Sequence, residues 1–301
     1  MAKQRTSAGF LRKNRHIAYI LPWLAGFLVF RAAPMLYALI CGFTDFHLFR
    51  GISETGLMNY RAIAADPAVG RAVLLTVAFA AASVPLRLAL ALLIAALLAK
   101  RFRGVRIYRT ACYLPSILGG SVAAAVLWKA MFRDRGLVNT VLGRLHLPAV
   151  SWLSEPHAAF WTVVLLRVWE FGSPMLLFLA ALEQIPQDLT DAARLDGAGA
   201  VRIFFRIKLP MISPVLFYNA MLGFCSALQE FSAPFVITGG GPRGGTTFLS
   251  LLLYRSAFTA NEMGYASALA WVLFLLSAGF SALFLTAGGR LLYYADEGGG
   301  T

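Results

Sequence analysis

The sequence predicts an all-α protein that crosses a lipid bilayer six times. Of its 301 residues, 59% are hydrophobic and only 14% are charged, whereas soluble domains are roughly 45–50% apolar and about 25% charged. The apolar residues fall into separated blocks, each about as long as the roughly 20 residues that a helix needs to cross the hydrocarbon core. The blocks therefore count membrane spans rather than soluble domains.

Six blocks are long enough to be transmembrane helices. They cover residues 17–41, 72–99, 109–131, 157–182, 211–235 and 264–288. A further apolar stretch, 247–258, is too short to span the bilayer and is expected to form an interfacial or re-entrant helix. We expect a single membrane domain over 17–290, preceded by an arm, 1–16, and followed by a tail, 291–301.

Basic residues precede the first block, as they do in a signal peptide. They are Lys3, Arg5, Arg12, Lys13 and Arg15. The apolar run that follows is longer than the roughly 7–15 residues of a signal-peptide core. We therefore expect it to be retained as the first transmembrane helix.

Connections rich in lysine and arginine alternate along the chain with connections that contain few, and this pattern predicts the orientation of the spans. The connection after the second block carries Lys100, Arg101, Arg103, Arg106 and Arg109. The connection after the fourth carries Arg194, Arg202, Arg206 and Lys208. The other connections are leaner or contain compensating acids, so both termini are expected in the cytoplasm.

Three other classes of site are disfavoured. A nucleic-acid site is disfavoured because the basic residues behind the net charge of +13 cluster beside apolar runs. They form no basic face interleaved with aromatic residues, as binding of a nucleic acid would require. Cys41, Cys112 and Cys225 are far apart and lack metal-ligand spacing, so we assign no metal and no structural disulfide. No lysine follows a glycine, which excludes a Walker A phosphate loop in this chain.

The connection 183–210 is expected to form two short helices. Pro186 suits the first position of a helix, Asp188 favours the positive end of its dipole, and Gly197 suits a left-handed residue after its end. A second helix would run to Leu209-Pro210 and lead into the fifth span. From these residues alone, the exposed Leu and Phe side chains either pack on the chain's own membrane domain or dock on a partner.

The same connection resembles the EAA loop of bacterial ABC-importer permeases. The run Asp191-Ala-Ala-Arg-Leu-Asp-Gly-Ala198 is followed at the family's spacing by Ile207-Lys-Leu-Pro210. Gly197 stands where that family has its signature glycine. Asp191 replaces the usual leading glutamate, which keeps the charge and shortens the side chain by one methylene.

Further motifs extend the resemblance to nearly the whole chain, from about Ala18 to Leu292. Phe43-Thr-Asp-Phe46 and Asn59-Tyr60 resemble the first outer loop of carbohydrate-uptake permeases of the maltose-transporter type. Thr238-Gly-Gly-Gly-Pro242 and Gly264-Tyr-Ala-Ser-Ala268 resemble the motifs that flank the family's last outer loop.

The resemblance implies the fold of a type I ABC importer permease and a mechanism. The 183–210 connection would carry a coupling helix that seats in a cytoplasmic ATPase subunit. The partners implied are a second related permease, two ATPase copies that bind ATP and Mg²⁺, an extracytoplasmic binding protein and a carbohydrate-like solute. The residues expected to couple to the ATPase are Asp191, Ala192, Arg194, Asp196, Gly197, Phe204, Leu209 and Pro210.

Charged residues inside the predicted spans are expected to face a cavity or a partner. Arg167 and Glu170 are three residues apart and can pair on one helical face. Arg31, which precedes Pro34, is expected to mark a kinked or broken first span. Arg87 is expected to contact another helix or subunit.

The fifth span carries a stripe that suits a path for a hydroxyl-rich solute. Gly223, Ser226 and Glu230 share one helical face, with Gln229 beside it. On the fourth span, Glu170, Trp169 and Gly172 are the further candidates, because related sugar permeases use that helix and the indole could stack on a sugar. The alternative is that the small residues serve helix packing and the charges form a structural ion pair.

Two other classes of function compete with the importer. A secondary transporter would show an inverted repeat and an ion-coupling carboxylate cluster, and an intramembrane enzyme would show a catalytic constellation within its spans. The sequence displays neither, and the glycine-rich stretch 238–245 either docks a binding protein or forms a flexible turn.

Overall fold

A computed structural model describes residues 15–100 and 103–288. Within them regular secondary structure is helical, apart from two isolated bridges in the first interhelical loop, so the all-α class is confirmed. The predicted arm up to residue 14, Arg101 and the tail 291–301 lie outside the described residues.

The described residues form helices that match the six predicted spans in position. The first half of the chain contains α1 Arg15–Phe27, a π-turn Leu28–Ala32, α2 Ala33–Gly42, α3 Met58–Ala65, α4 Pro67–Leu98, α5 Val105–Leu118, α6 Val122–Met131 and α7 Leu137–Arg144. The second half contains α8 Pro156–Trp169, α9 Gly172–Glu183, α10 Gln187–Leu195, α11 Ala200–Ile203, a π-turn Phe204–Lys208, α12 Leu209–Met211, α13 Ser213–Leu228, α14 Ser232–Ile237, α15 Leu249–Phe258 and α16 Met263–Gly288.

Three of these segments are long, unbroken apolar helices: Tyr19–Gly42, Pro67–Leu98 and Met263–Thr286. Three further apolar pairs are bent at a short break, by 101° between α5 and α6, 42° between α8 and α9, and 67° between the α11–α12 segment and α13. Counting each bent pair as one span gives six spans, the predicted number, although the last pair begins at Ala200, within the connection that precedes the predicted fifth span. Helix α15, at ten residues, is too short to cross a bilayer, as expected.

The continuous third, fourth and fifth spans that hydropathy predicted are interrupted in the structure. The third breaks at Gly119-Gly120, where Gly120 has φ +74°, a conformation that glycine adopts without steric cost. The fourth breaks at Glu170 and Phe171, and the fifth breaks between α13 and α14. Hydropathy averages over such breaks because each is only two or three residues long and lies between apolar helices.

Arg31 was expected to mark a kinked or broken first span; the helix is not broken there but contains a π-turn. The turn Leu28–Ala32 ends two residues before Pro34, and the helix continues to Gly42. The turn Phe204–Lys208 likewise ends two residues before Pro210. A proline ring clashes with the carbonyl one turn earlier, and in both places the backbone widens over that turn without ending the helix.

Two boundary expectations in the 183–210 connection also change by a few residues. Pro186 is the residue before α10 rather than its first helical residue, and its φ of −55° suits either position. The second helix continues past Leu209-Pro210 to Met211 and bends at Ile212.

The described residues divide into two compact units. The small unit holds the chain up to Ala65 together with Leu253–Trp271, and the large unit holds Asp66–Leu252 and the remainder. In the large unit, α4 is central, because α8, α9 and α13 all pack against it. Phe79, Val163 and Phe178 are fully buried between these helices.

The sequence motifs of the first loop and the last span meet in the small unit. The Asn59 side-chain amide donates to the carbonyls of Gly42 and Thr44, at 3.1 and 2.7 Å. The Gly264 amide donates to the Phe46 carbonyl at 2.8 Å. These hydrogen bonds hold the end of α2 and the loop after it close to the start of α16.

Asp45 also stabilises this first interhelical loop through hydrogen bonds. One carboxylate oxygen of Asp45 accepts the amides of Ser53 and Glu54, both at 2.8 Å. These backbone hydrogen bonds hold the pKa of Asp45 below its ordinary value, because they favour the ionised carboxylate.

We predict that Gly264→Ala destabilises the protein, since a Cβ at this position overlaps the carbonyl oxygen of Thr44. Such overpacking costs about 1–3 kcal/mol. Gly279→Ala is the matched control on the same helix, because a Cβ there meets nothing within 4 Å. Thermal unfolding of the purified protein, followed by thiol-reactive fluorescence, should show a lower midpoint for Gly264→Ala alone. Equal midpoints for the two variants would contradict the close contact between Gly264 and the loop after α2.

Candidate functional site

Four polar residues of the large unit meet where the broken helices come together. Arg167 and Glu170 lie at the end of α8, and Ser226 and Glu230 lie at the end of α13. We call these four residues the break cluster. Glu170 is 7% exposed, so the cluster contains a carboxylate that is almost removed from solvent.

Glu170 joins the cluster to two other helices through its backbone and its side chain. Its carbonyl, freed by the break, accepts Arg87 Nε and Ser116 Oγ, both at 2.9 Å. Its carboxylate accepts the Gly120 amide at 3.0 Å and lies 3.2 Å from the Arg167 guanidinium. The break is therefore satisfied by side chains, as irregular backbone at membrane depth requires.

Arg167 connects the two acids of the cluster. Its guanidinium donates to Ser226 Oγ at 2.6 Å and lies 3.9 Å from a Glu230 carboxylate oxygen. The other Glu230 oxygen accepts the Ala233 amide at 3.1 Å, at the start of α14. Arg167 Nε is buried without a hydrogen-bond partner among the described residues.

Two cavities adjoin the break cluster. A small one, about 20 Å³, is lined by Phe79, Gly120, Glu170 and Glu230. A larger one, about 310 Å³, extends along α13 past Asn219 and Gly223 and is also lined by Arg87. Arg167 lines both of these spaces in the large unit.

The structure brings together some of the predicted path residues and places others elsewhere. Glu170, Ser226 and Glu230 meet through Arg167, and Gly223 lines the larger cavity. Gln229 instead donates to the Cys225 carbonyl of its own helix at 3.2 Å. It lines neither cavity.

Two further predicted path residues have packing contacts. Trp169 packs on Trp128, with ring centroids 5.5 Å apart, and belongs to the hydrophobic core of the large unit. Gly172 lies so close to α5 that a Cβ would come within 2.7 Å of the Cys112 carbonyl oxygen. Its small size allows that approach.

Sequence reasoning gave Arg87 no specific role and did not single out Ser116 or Gly120. All three bind Glu170 from elements distant in the chain. The Gly119-Gly120 pair was the available signal, because two adjacent glycines inside an apolar block mark a possible helix break. The acceptor for Arg87 could not be read from the sequence, since it is a backbone carbonyl.

The end of α10 has the hydrogen bonds of a Schellman motif. The Gly197 amide donates to the Arg194 carbonyl at 3.0 Å, and the Ala198 amide donates to the Ala193 carbonyl at 2.9 Å. Gly197 has φ +78°, the left-handed conformation that this motif requires. A Cβ there would have free space, so the requirement for glycine comes from the backbone angle alone.

The other expected coupling residues surround this turn. Asp191 and Arg194 form an ion pair of 2.6 Å on exposed α10, and exposed Ala192 accepts the Asp196 amide at the helix end. Leu209 and Pro210 belong to α12, next to the bend into α13.

Apolar side chains on this connection are strongly exposed. Leu195 is 90% exposed and Val201 72%, and Phe205 and Leu189 are also exposed. Phe204, the predicted coupling aromatic, is half-buried with its ring edge-on to Phe205. An apolar surface of this kind on a polar connection is typical of a docking site.

The glycine-rich stretch 238–245 is held by threonine side chains. The hydroxyls of Thr238 and Thr246 lie 2.6 Å apart. Thr246 also donates to the Gly241 carbonyl, and Thr247 donates to the Gly240 carbonyl, both at 2.9 Å. These hydrogen bonds link both ends of the loop to each other and to its central glycines.

Comparison with known proteins shows the family of this chain. The family model described as "Binding-protein-dependent transport system inner membrane component" matches residues 62–288. The probable ABC transporter permease protein YesP of Bacillus subtilis is 39% identical over 96% of this chain and 98% of its own length. The trehalose/maltose transport system permease protein MalF of Thermococcus litoralis is 34% identical over 89% of this chain and 92% of its own length.

A solved structure shares the fold. A chain of a bacterial ABC transporter involved in the import of the acidic polysaccharide alginate superposes with a TM-score of 0.78 at 21% identity, covering 93% of this chain and 96% of that chain. The chain described here belongs to the family of binding-protein-dependent transport system inner membrane components.

Proposed function

We propose that this chain is one of two permease subunits of an ATP-driven importer for a sugar or a similar polyol-like solute. Its described spans form half of the translocation path, and the 183–210 connection docks on a cytoplasmic ATPase subunit. The observation that carries the proposal is the exposed apolar face of that connection, with Leu195 and Val201, on a helix whose end is set by Gly197.

We infer the partners from the missing Walker A motif and from the exposed apolar face of the 183–210 connection. It has no Walker A lysine, so ATP and Mg²⁺ bind to two partner ATPase subunits, and no cofactor belongs to this chain. A second, related permease completes the path, and an extracytoplasmic binding protein delivers the solute. We infer from the basic residues of the 183–210 connection that it and both termini lie in the cytoplasm.

The break cluster and its two cavities support a solute path through the large unit. Carboxylate, hydroxyl and guanidinium groups there offer both acceptors and donors to a solute rich in hydroxyl groups. Glu230 is the best candidate for direct contact, because its ion pair with Arg167 is long at 3.9 Å. The name of the trehalose/maltose relative supports a carbohydrate as the solute.

We predict that Gly197→Ala uncouples ATP hydrolysis from the binding protein. Alanine in the left-handed conformation costs about 1–2 kcal/mol, so docking should weaken by roughly five- to thirtyfold if the whole cost falls on the docked state. The measurement is ATPase activity of the purified complex of both permeases and the ATPases, with and without solute-loaded binding protein.

Gly199→Ala is the matched control for this experiment. Gly199 lies two residues away with φ −69°, and a Cβ there meets nothing within 4 Å. Loss of stimulation in Gly197→Ala but not in Gly199→Ala supports coupling through the end of α10. Unchanged stimulation in both variants of an assembled complex would reject it.

We predict different consequences for the two acids near Arg167. Glu170→Gln should lower stability by about 3–5 kcal/mol, the usual result of leaving one member of a buried ion pair without its partner. Glu230→Gln should leave thermal stability near that of the wild type and change the KM of transport in proteoliposomes, because its ion pair is longer. An equal loss of stability in both variants would assign Glu230 a structural role instead.

A further inference from the structure

A cavity of about 790 Å³ lies between the 183–210 connection and the end of α4. Its volume falls within the roughly 300–1,000 Å³ of small-molecule binding sites. All of its lining residues belong to the large unit. None of the proposed path residues lines it, and neither do the exposed Leu195 and Val201, whereas three of the expected coupling residues, Asp191, Arg194 and Phe204, do.

Two walls of the cavity are apolar stripes that end in lysine. On α4 and the residues after it, the lining residues are Leu93, Ala96, Leu97 and Lys100. On α11 and the π-turn that follows, they are Ala200, Ile203, Phe204 and Lys208. Spacings of three and four residues place each apolar set on one helical face. Each wall therefore presents hydrocarbon along most of its length and an ammonium at one end.

The third wall is polar and belongs to α10. Its lining residues are Gln187, Thr190, Asp191 and Arg194, which again share one face at helical spacing. Of the exposed leucines, Leu189 lies on the opposite face of α10, and Leu195 lies at its end, beside the lining face rather than on it. The proposed coupling helix therefore has one face toward this cavity and another available to a partner.

The cavity has two cations without a carboxylate partner. Its two acids, Glu183 and Asp191, form ion pairs with Arg109 and Arg194. In the described part of the chain, Lys100 and Lys208 form no ion pair with an acid. Lys208 is only half-exposed.

We propose that this cavity binds an anionic phospholipid of the cytoplasmic leaflet, with its phosphate between Lys100 and Lys208. This inference rests on the proposed orientation of the chain. Lys100 follows the predicted second span by one residue, and Lys208 precedes the predicted fifth by three, so both lie at the depth of the lipid headgroups. Basic pockets between transmembrane helices on this side of a bilayer suit such headgroups.

The apolar walls distinguish a lipid from a soluble anion. The apolar stripe on α4 runs from Lys100 through Leu97 and Leu93 toward the hydrocarbon core. An acyl chain would lie against these two leucines. A free phosphate would use the two ammonium groups and leave these side chains uncovered. A bound lipid would touch α4, α10 and the π-turn together, so coupling should depend on it.

The test compares the complex in nanodiscs of phosphatidylcholine alone with nanodiscs of phosphatidylcholine and phosphatidylglycerol in equal amounts. Native mass spectrometry counts retained phosphatidylglycerol, and ATPase assays measure stimulation by the binding protein. The test variant is Lys100→Gln with Lys208→Gln. The charge-matched control is Arg202→Gln with Arg206→Gln, which removes two exposed cations from the same segment without altering the cavity lining.

The wild type and the control should retain phosphatidylglycerol and be stimulated more strongly in its presence. The lysine variant should bind it about thirtyfold more weakly, the equivalent of ~1 kcal/mol per lysine near an anionic surface, and lose the lipid-dependent stimulation. Equal retention by the lysine variant would overturn the proposal. So would displacement of the lipid by inorganic phosphate, or its retention only when the ATPase subunits are absent.

These outcomes separate the lipid site from the proposed function. If the Gly197→Ala variant uncouples hydrolysis while lipid composition has no effect, the proposed importer function is supported and the lipid site is rejected. If no ATPase assembles with the permease in either lipid, the proposed function itself is rejected.

Discussion

The fold of the large unit depends on how the bilayer-spanning helices satisfy the backbone groups released at their breaks. Hydrocarbon offers no hydrogen bonds, so every carbonyl that leaves a helix needs a protein partner. Glu170 meets this requirement in two ways. Its carbonyl accepts Arg87 and Ser116, and its carboxylate accepts the amide of Gly120 at a second break. One residue thus fixes the relative position of α4, α5 and the two halves of the fourth span.

The charges around this residue balance. Within the break cluster Arg167 faces the two acids Glu170 and Glu230, and Arg87, bound to the Glu170 carbonyl, supplies the second cation. The break cluster and Arg87 together have no formal net charge, which avoids the large cost of an unpaired charge at low dielectric. The contacts are unequal, however, because Arg167 lies 3.2 Å from one acid and 3.9 Å from the other. The short contact holds the break together, and the long one joins α8 to the residues after α13, beside the 2.6 Å hydrogen bond from Arg167 to Ser226.

Hydropathy and charge were sufficient to predict the six spans, because the bilayer imposes a length and a composition on each of them. The pairing of Arg167 with Glu170 was also predictable, since it depends only on spacing along one helix, and the left-handed Gly197 followed from local turn chemistry. The helix breaks were not predictable by hydropathy, because each is only two or three residues long and the helices on both sides of it are apolar. Nor was the contact of Arg87 with the Glu170 carbonyl, which exists only once two helices distant in sequence are packed together.

The 183–210 connection and the break cluster lie on one nearly continuous piece of backbone. From the Schellman turn at Gly197, the chain enters α11, passes the π-turn and α12, bends by 67° at buried Ile212 and continues as α13 to Ser226. Because α13 packs along α4, a displacement of α10 by a docked subunit would reach Ser226 through short rigid segments and one bend. Ser226 accepts a hydrogen bond from the Arg167 guanidinium, which lines both cavities, so such a displacement would act on Arg167 and on its 3.9 Å contact with Glu230.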